Sequence, residues 1–130
     1  VALLIAVVTP EREVWSGQAS RVITKTLDGD IGILAGHSPV LGVLAEGSVL
    51  RVLTTEGDEV LAAVTGGFLA VTDDRVSVLA RQAELGSEVD VQAVQAELDR
   101  LLAESGPPGA PESSDVAYAR ALLRAARQPA

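Results

Sequence analysis

The hydrophobic pattern changes period once, at Ser87, and that change limits the fold more than any other feature of the chain. Up to Leu85, short apolar runs are broken by turns every ten residues or so. Arg21–Thr26 alternates, with Val22, Thr24 and Thr26 on one face and Arg21, Ile23 and Lys25 on the other, which is the period of a half-buried strand. Leu3–Val8 is an apolar run closed by Thr9-Pro10, and Asp28-Gly29-Asp30 supplies a turn. Val49–Thr54 and Glu59–Val64 flank one hairpin signal, Thr55-Glu56-Gly57-Asp58. Phe68–Val71 and Val76–Leu79 flank another, Thr72-Asp73-Asp74-Arg75. Gly66-Gly67, at the head of the Phe68 run, suggests a sharp bend or a close backbone approach. Such a series of short strands predicts a β-sandwich or barrel.

Beyond Ser87 the spacing becomes helical. Ser87-Glu88-Val89-Asp90 has the form of a capping serine with an acid three residues on, and Val91, Val94, Leu98, Leu101 and Leu102 form one stripe. Ser105-Gly106-Pro107-Pro108-Gly109 ends that helix. A second helix is predicted from about Ser114-Asp115, with Val116, Ala119, Leu122, Leu123 and Ala126 as its apolar stripe and Arg120, Arg124 and Arg127 on another face. A short Ala- and Arg-rich helix is marginal alone and needs a surface to lean on. The joining segment, Gly106–Ser114, exceeds the usual hairpin connection of about two to eight residues and reads as a flexible linker. The expected organisation is a β domain over 1–85 and a helical hairpin over 86–130.

Composition removes several functions. The 130 residues carry a net charge of −8, with no cysteine and three aromatic residues, Trp15, Phe68 and Tyr118. Without cysteine there is no disulfide framework and no thiolate zinc site. The acidic balance argues against nucleic acid, whose phosphates need clustered positive charge. One Lys and nine Arg make no polybasic membrane patch, and three aromatics make no stacking platform. Val1–Val8 falls far short of the ~20 residues of a spanning helix and lacks the positive flank of a signal peptide. Charge is uneven: −5 over Val1–Leu85, −6 over Gly86–Asp115 and +3 over Val116–Ala130. An acidic segment followed by a basic one suggests self-pairing or an acidic partner.

Catalytic chemistry is hard to assemble. His37, the single histidine, lies in Gly36-His37-Ser38-Pro39, a context that shapes a turn or meets a partner, and no Gly-x-Ser-x-Gly elbow accompanies it. Asp28-Gly29-Asp30 opens like a calcium loop, but the fifth position is Gly32 and the twelfth is Pro39, where a bidentate Glu is needed. No phosphate-binding Gly-x-x-x-x-Gly-Lys run is present. Asp73-Asp74 reads as solvated charge at a hairpin tip. No cofactor or metal is expected, and an unrelated β-sandwich hydrolase is disfavoured.

One stretch is more specific. Gly29-Asp30-Ile31-Gly32-Ile33-Leu34-Ala35-Gly36-His37-Ser38-Pro39-Val40-Leu41 resembles the G-E-L/I-G-I-x-P-G-H-x-P-L-L signature of the epsilon subunit of F-type ATP synthases. Val64-Thr65-Gly66-Gly67-Phe68-Leu69-Ala70-Val71 resembles that family's G-G-x-x-x-V strand, and Asp74–Ala80 its following N/R-V-T-V-L-A run. Val14-Trp15-Ser16-Gly17 is similar to its aromatic-Ser-Gly turn. The matches follow the family's order and spacing over essentially the whole chain.

The resemblance implies an N-terminal sandwich of about ten strands, a C-terminal helical hairpin and a non-catalytic role on the rotating central stalk. The implied partners are the gamma subunit, the polar loops of the membrane c-ring and, with the helices extended, the alpha/beta catalytic head. The implied location is peripheral, on the cytoplasmic face of a bacterial plasma membrane. By the same resemblance Gly29, Asp30 and Ile31 face the ring loops, and His37, Ser38 and Pro39 lie on the stalk-contacting lobe. Arg120, Arg124 and Arg127 are the basic residues of an inhibitory helix. Some relatives bind ATP through I/L-D-x-x-R-A; here the run is Val89-Asp90-Val91-Gln92-Ala93, so Asp90 remains while Ala93 stands at the Arg position. Losing the guanidinium fork predicts weak or absent ATP binding. An ATP-sensing module of the same architecture is the alternative.

Overall fold

The computed structural model describes residues 2–104 and 106–127, with the backbone alone at Arg127. Its strands are β1 (Leu3–Val8), β2 (Glu13–Thr26), β3 (Gly29–Leu34), β4 (Val40–Val43), β5 (Ser48–Thr54), β6 (Glu59–Thr72) and β7 (Arg75–Leu85). A 3-10 turn at Gly86–Glu88 leads to α1 (Val91–Ala103) and α2 (Ser114–Arg127).

Seven strands build two five-stranded layers because β2, β6 and β7 each serve both. The first half of β2 pairs with β1. After a register shift between Ala19 and Arg21, its second half lies between β5 and β3. β6 pairs with β5 over Glu59–Val64 and with β4 over Phe68–Val71, while β7 follows it along both halves. The first layer therefore runs β3, β2, β5, β6, β7, and the second β2, β1, β7, β6, β4, with β1 and β7 parallel. These ten strand segments give the architecture that the resemblance implies.

Two expectations change in detail. The Glu59–Val64 and Phe68–Val71 runs are one strand, which bends at Gly66-Gly67. Gly66 has φ 69°, and a side chain on Gly67 would put its Cβ 1.7 Å from the Leu79 carbonyl oxygen. Backbone approaches backbone there, and only glycine leaves room. Val14-Trp15-Ser16-Gly17 lies within β2 rather than in a turn, with the indole stacked over Gly17.

The space between the layers is filled mainly by aliphatic side chains, with Thr24 buried beside Val22 on the inward face of β2. Leu3, Ile5 and Val7 of β1 alternate inward to meet Val22, Ile33, Leu50, Val52, Leu69, Val71, Val76 and Val78. Each such burial stabilises the fold by roughly 1.5–3 kcal/mol. Trp15 packs at the rim.

The outer face of the first layer carries the hairpin. Ala63 is fully buried, not in the sandwich but beneath Ala121, Leu122 and Ala125 of α2, with Val49 and Leu61 beside it. The far side of α2 meets α1 through Val116, Ala119, Leu123 and Leu98. Ala121 and Ala125 lie outside the sequence-derived stripe; α2 buries two faces, and its sheet-facing side is built of alanines. That side sits close because two glycines make room. A Cβ on Gly47 would lie 2.2 Å from the Ala117 backbone, and one on Gly86 would lie 2.4 Å from the Ala125 carbonyl oxygen.

The helix start also differs from expectation. Asp90, not Ser87, caps α1, its carboxylate accepting from the Ala93 amide at 3.1 Å. Ser87 lies in the 3-10 turn. The cap of α2 is Ser113, whose hydroxyl accepts from the Val116 amide at 3.2 Å.

Candidate functional site

The second layer shows the largest departure from ordinary burial. Residues facing away from the core on β4, β6, β7 and β1 line up by register: Val43 opposite Phe68, Phe68 opposite Leu79, and Leu79 opposite Val8. Val43, Phe68 and Leu79 are 44%, 50% and 51% exposed, and Leu41, two residues before Val43, is 72% exposed. At the usual interstrand spacing this row is about 14 Å across. A shallow groove of about 460 Å³ continues it past Val8, Pro10 and Gly67. The outward face of a solvated sheet normally alternates to polar residues; a contiguous apolar row is the mark of a docking surface. Sequence reading missed it, because Phe68, Leu79 and Val43 come together only through the register of three strands.

The two sequence-derived contact sets lie at opposite ends of β3, about 17 Å apart at the usual rise per residue. At one end Gly29 closes the β2–β3 turn, where Thr26 Oγ1 donates to the Gly29 carbonyl at 2.9 Å. Asp30 is exposed opposite Lys25, whereas Ile31 leans on the sandwich core. Leu27, 70% exposed, stands at the same tip, which the Leu27 amide ties to the Val43 carbonyl at 2.9 Å. At the other end the loop 35–39 crosses from β3, an edge of the first layer, to β4, an edge of the second. His37 is half-buried with Nδ1 2.7 Å from the Ser38 carbonyl, and Ser38 and Pro39 are exposed.

Two of the three basic residues of α2, Arg120 and Arg124, are engaged within the fold. Arg120 Nε donates to Glu112 at 2.8 Å, and Arg124 Nη2 donates to the Gly47 carbonyl at 2.9 Å. The side chain of Arg127 lies outside the described residues. At the nucleotide-type motif, Asp90 holds the Ala93 amide and Ala93 itself is exposed, its methyl offering phosphate neither charge nor donor.

On α2, partial burial and the neighbouring Glu84 push the Tyr118 hydroxyl up to about 12. Burial, and then Glu88, raise Glu84 above the usual carboxylate range, with Arg12 opposing them. Among the described residues there is no cluster of three or more His, Asp or Glu able to hold a metal, and no helix long and apolar enough to cross a membrane.

Residues 2–86 match the family described as ATP synthase, Delta/Epsilon chain, beta-sandwich domain. The chain is 52% identical over 128 residues to the ATP synthase epsilon chain of Thermobifida fusca, covering 96% of this chain and 92% of that one. It is 42% identical over 123 residues to the ATP synthase epsilon chain of Rhodococcus opacus, covering 95% and 94%. Among solved structures, a chain of the Euglena gracilis mitochondrial ATP synthase OSCP/F1/c-ring assembly superposes with a TM-score of 0.70 at 22% identity, over 94% of this chain and 75% of that one. A chain of the Tetrahymena thermophila mitochondrial ATP synthase central stalk/c-ring assembly does so at 0.57 and 20%, over 95% and 92%. Those two structural likenesses bear on the fold.

Proposed function

The chain belongs to the ATP synthase epsilon family, and on that premise we propose that it is a non-catalytic central-stalk subunit coupling proton-driven rotation of the membrane ring to ATP synthesis. The observation that carries this reading is the apolar row Val43–Phe68–Leu79–Val8. A rotor part must be held through many turns, and a broad apolar contact supplies holding power without directional chemistry. The sandwich, 1–85, grips the gamma subunit through that row and through His37, Ser38 and Pro39. The β2–β3 tip with Gly29, Asp30 and Ile31 meets the polar loops of the c-ring. The subunit works peripherally, at the cytoplasmic face of a bacterial plasma membrane.

The arm, 86–130, regulates. Lifted from the sandwich, it would present Arg120, Arg124 and Arg127 to acidic segments of the catalytic head and restrain ATP hydrolysis. Its alanine face and few anchoring bonds suit two states that differ by a few kcal/mol. The ATP-sensing alternative draws no support from Asp90 and Ala93, one a helix cap and the other a methyl.

Co-purification with the gamma subunit tests the grip. Phe68→Asp with Leu79→Asp should abolish it while thermal unfolding stays cooperative, since both side chains point away from the core; binding as tight as that of the unmodified chain would defeat the reading. Deleting Val116–Ala130 and assaying ATP hydrolysis of the assembled enzyme tests the arm, and unchanged hydrolysis would remove the inhibitory role.

A further inference from the structure

We propose that Asp74 is a positioning residue for the stalk-binding end of the sandwich, its carboxylate clamping the loop that carries His37, Ser38 and Pro39. The proposal rests on the reading of that loop as a gamma contact and adds to it the residue that fixes its shape.

Asp74 Oδ1 accepts a hydrogen bond from the Gly36 amide at 2.7 Å, across 38 residues of sequence. The other bonds of this segment are local: the His37 amide donates to the Leu34 carbonyl at 3.1 Å, and His37 Nδ1 lies against the Ser38 carbonyl. Among the described residues the Asp74 carboxylate is thus the one hydrogen-bonding group that ties the loop to another part of the fold. The loop bridges layers that lie roughly 10 Å apart, and such a crossing has no ladder of its own to hold it. Gly36 turns the chain there with φ 84°.

The main chain of Asp74 holds a third segment. Its carbonyl accepts from the Leu4 amide at 2.9 Å, where β1 begins its parallel pairing with β7. One residue therefore joins the start of β1, the β6–β7 turn and the loop ahead of β4. That loop delivers Val40 to its place opposite Val71, and with it the outward direction of Leu41 and Val43. Fixing Gly36 consequently fixes both the polar bend and the β4 edge of the apolar row.

Local geometry gives a second reason to assign Asp74 a role. Asp73 and Asp74 have φ 50° and 61°, the positive pair of a two-residue hairpin turn. Glycine is the least strained residue at the second such position. A carboxylate in its place makes the turn less favourable locally, and the bond to Gly36 is what it supplies in return. The bond joins an amide donor to a carboxylate and is short, as charge-assisted bonds are.

Two substitutions separate the side chain from the turn. Asp74→Gly removes the acceptor and relieves the positive φ, so the hairpin still forms; Asp74→Asn keeps the acceptor oxygen. In the full chain, nitrogen-15 relaxation should show order parameters at Gly36, His37 and Ser38 falling from about 0.85 to below about 0.6 in Asp74→Gly. They should stay unchanged in Asp74→Asn, with the Val71 and Val76 amides unmoved in both. Affinity for purified gamma subunit should fall about tenfold in Asp74→Gly and recover to within about twofold in Asp74→Asn. A loop as rigid in Asp74→Gly as in the unmodified chain overturns the clamp, and a loosened loop with undiminished affinity overturns the positioning role. If the unmodified chain fails to bind gamma, the functional reading falls and takes the positioning role with it, while the relaxation data still decide the clamp.

Discussion

Arg124 donates from Nη2 to the carbonyl oxygen of Gly47 at 2.9 Å, joining the last turns of the second helix to the loop between β4 and β5. The same glycine gives its amide to Thr65 Oγ1 at 3.0 Å and, lacking a Cβ, lets the Ala117 backbone pass. Gly47 is thus a point of close approach between the sandwich and the arm. A residue proposed to act on the catalytic head is engaged here on the sandwich, so docking of the arm and action at the head exclude one another at Arg124.

Arg124→Ala should weaken docking by about 1 kcal/mol, the usual net worth of a partly buried hydrogen bond. Hydrogen exchange of the α2 amides should quicken while that of Val22 and Leu50 stays slow, because those two lie in the sandwich core. Arg124→Lys should restore part of the effect. Equal exchange in all three proteins would show that the bond does not hold the arm.

Gly86→Ala tests the second close seam, where α2 passes the 3-10 turn at Ala125. The added Cβ would meet the Ala125 carbonyl oxygen at 2.4 Å and its carbon at 2.7 Å, and a main chain cannot rotate out of the way. Overpacking of this kind costs about 1–3 kcal/mol. The melting temperature should fall and α2 should exchange faster. A variant as stable as the parent would mean the seam adjusts freely.

The parts of this fold legible in the sequence are those set by near neighbours. Alternation in Arg21–Thr26 and the Thr55–Asp58 and Asp73-Asp74 turns required only local pattern, and the observed strands agree. Gly66-Gly67 was legible as a bend but not as the middle of a continuous strand, because two glycines carry no alternation to follow. Ala121 and Ala125 gave no signal, since alanine is common on both faces of a helix and is buried here only because Ala63, Gly47 and Gly86 are small. The apolar row needed the register of β4, β6, β7 and β1, and the Asp74–Gly36 bond needed a contact between distant segments. The site was hidden wherever it is made by pairing across the sheet.

Thr65 is fully buried, accepts from the Gly47 amide and donates to Glu46 Oε2 at 2.8 Å. Thr65→Val keeps the shape but leaves that amide without its partner, an omission that costs about 1–3 kcal/mol. Thr65→Ser retains the hydroxyl and should lose much less. Denaturant unfolding of the two variants separates the outcomes, and a Thr65→Val protein as stable as the unmodified chain would show that the hydroxyl bonds do not hold this corner.

Tyr118 makes the arm sensitive to alkali. Burial first and Glu84 second disfavour its anion, raising the hydroxyl from 10.0 to about 12 in the folded protein. The folded state therefore holds this proton more tightly than the unfolded chain does. The resulting stability is fully present below pH 10.0, declines as pH rises and is gone above about 12. Because Tyr118 is the single tyrosine, tyrosinate absorbance reports it without interference. The titration should be displaced upward in the intact chain and return to the ordinary value once urea unfolds it. Tyr118→Phe should abolish the part of the alkaline loss that tracks this absorbance. An ordinary titration in the folded chain would mean that Tyr118 is open to water, and that α2 does not lie on the sheet as described.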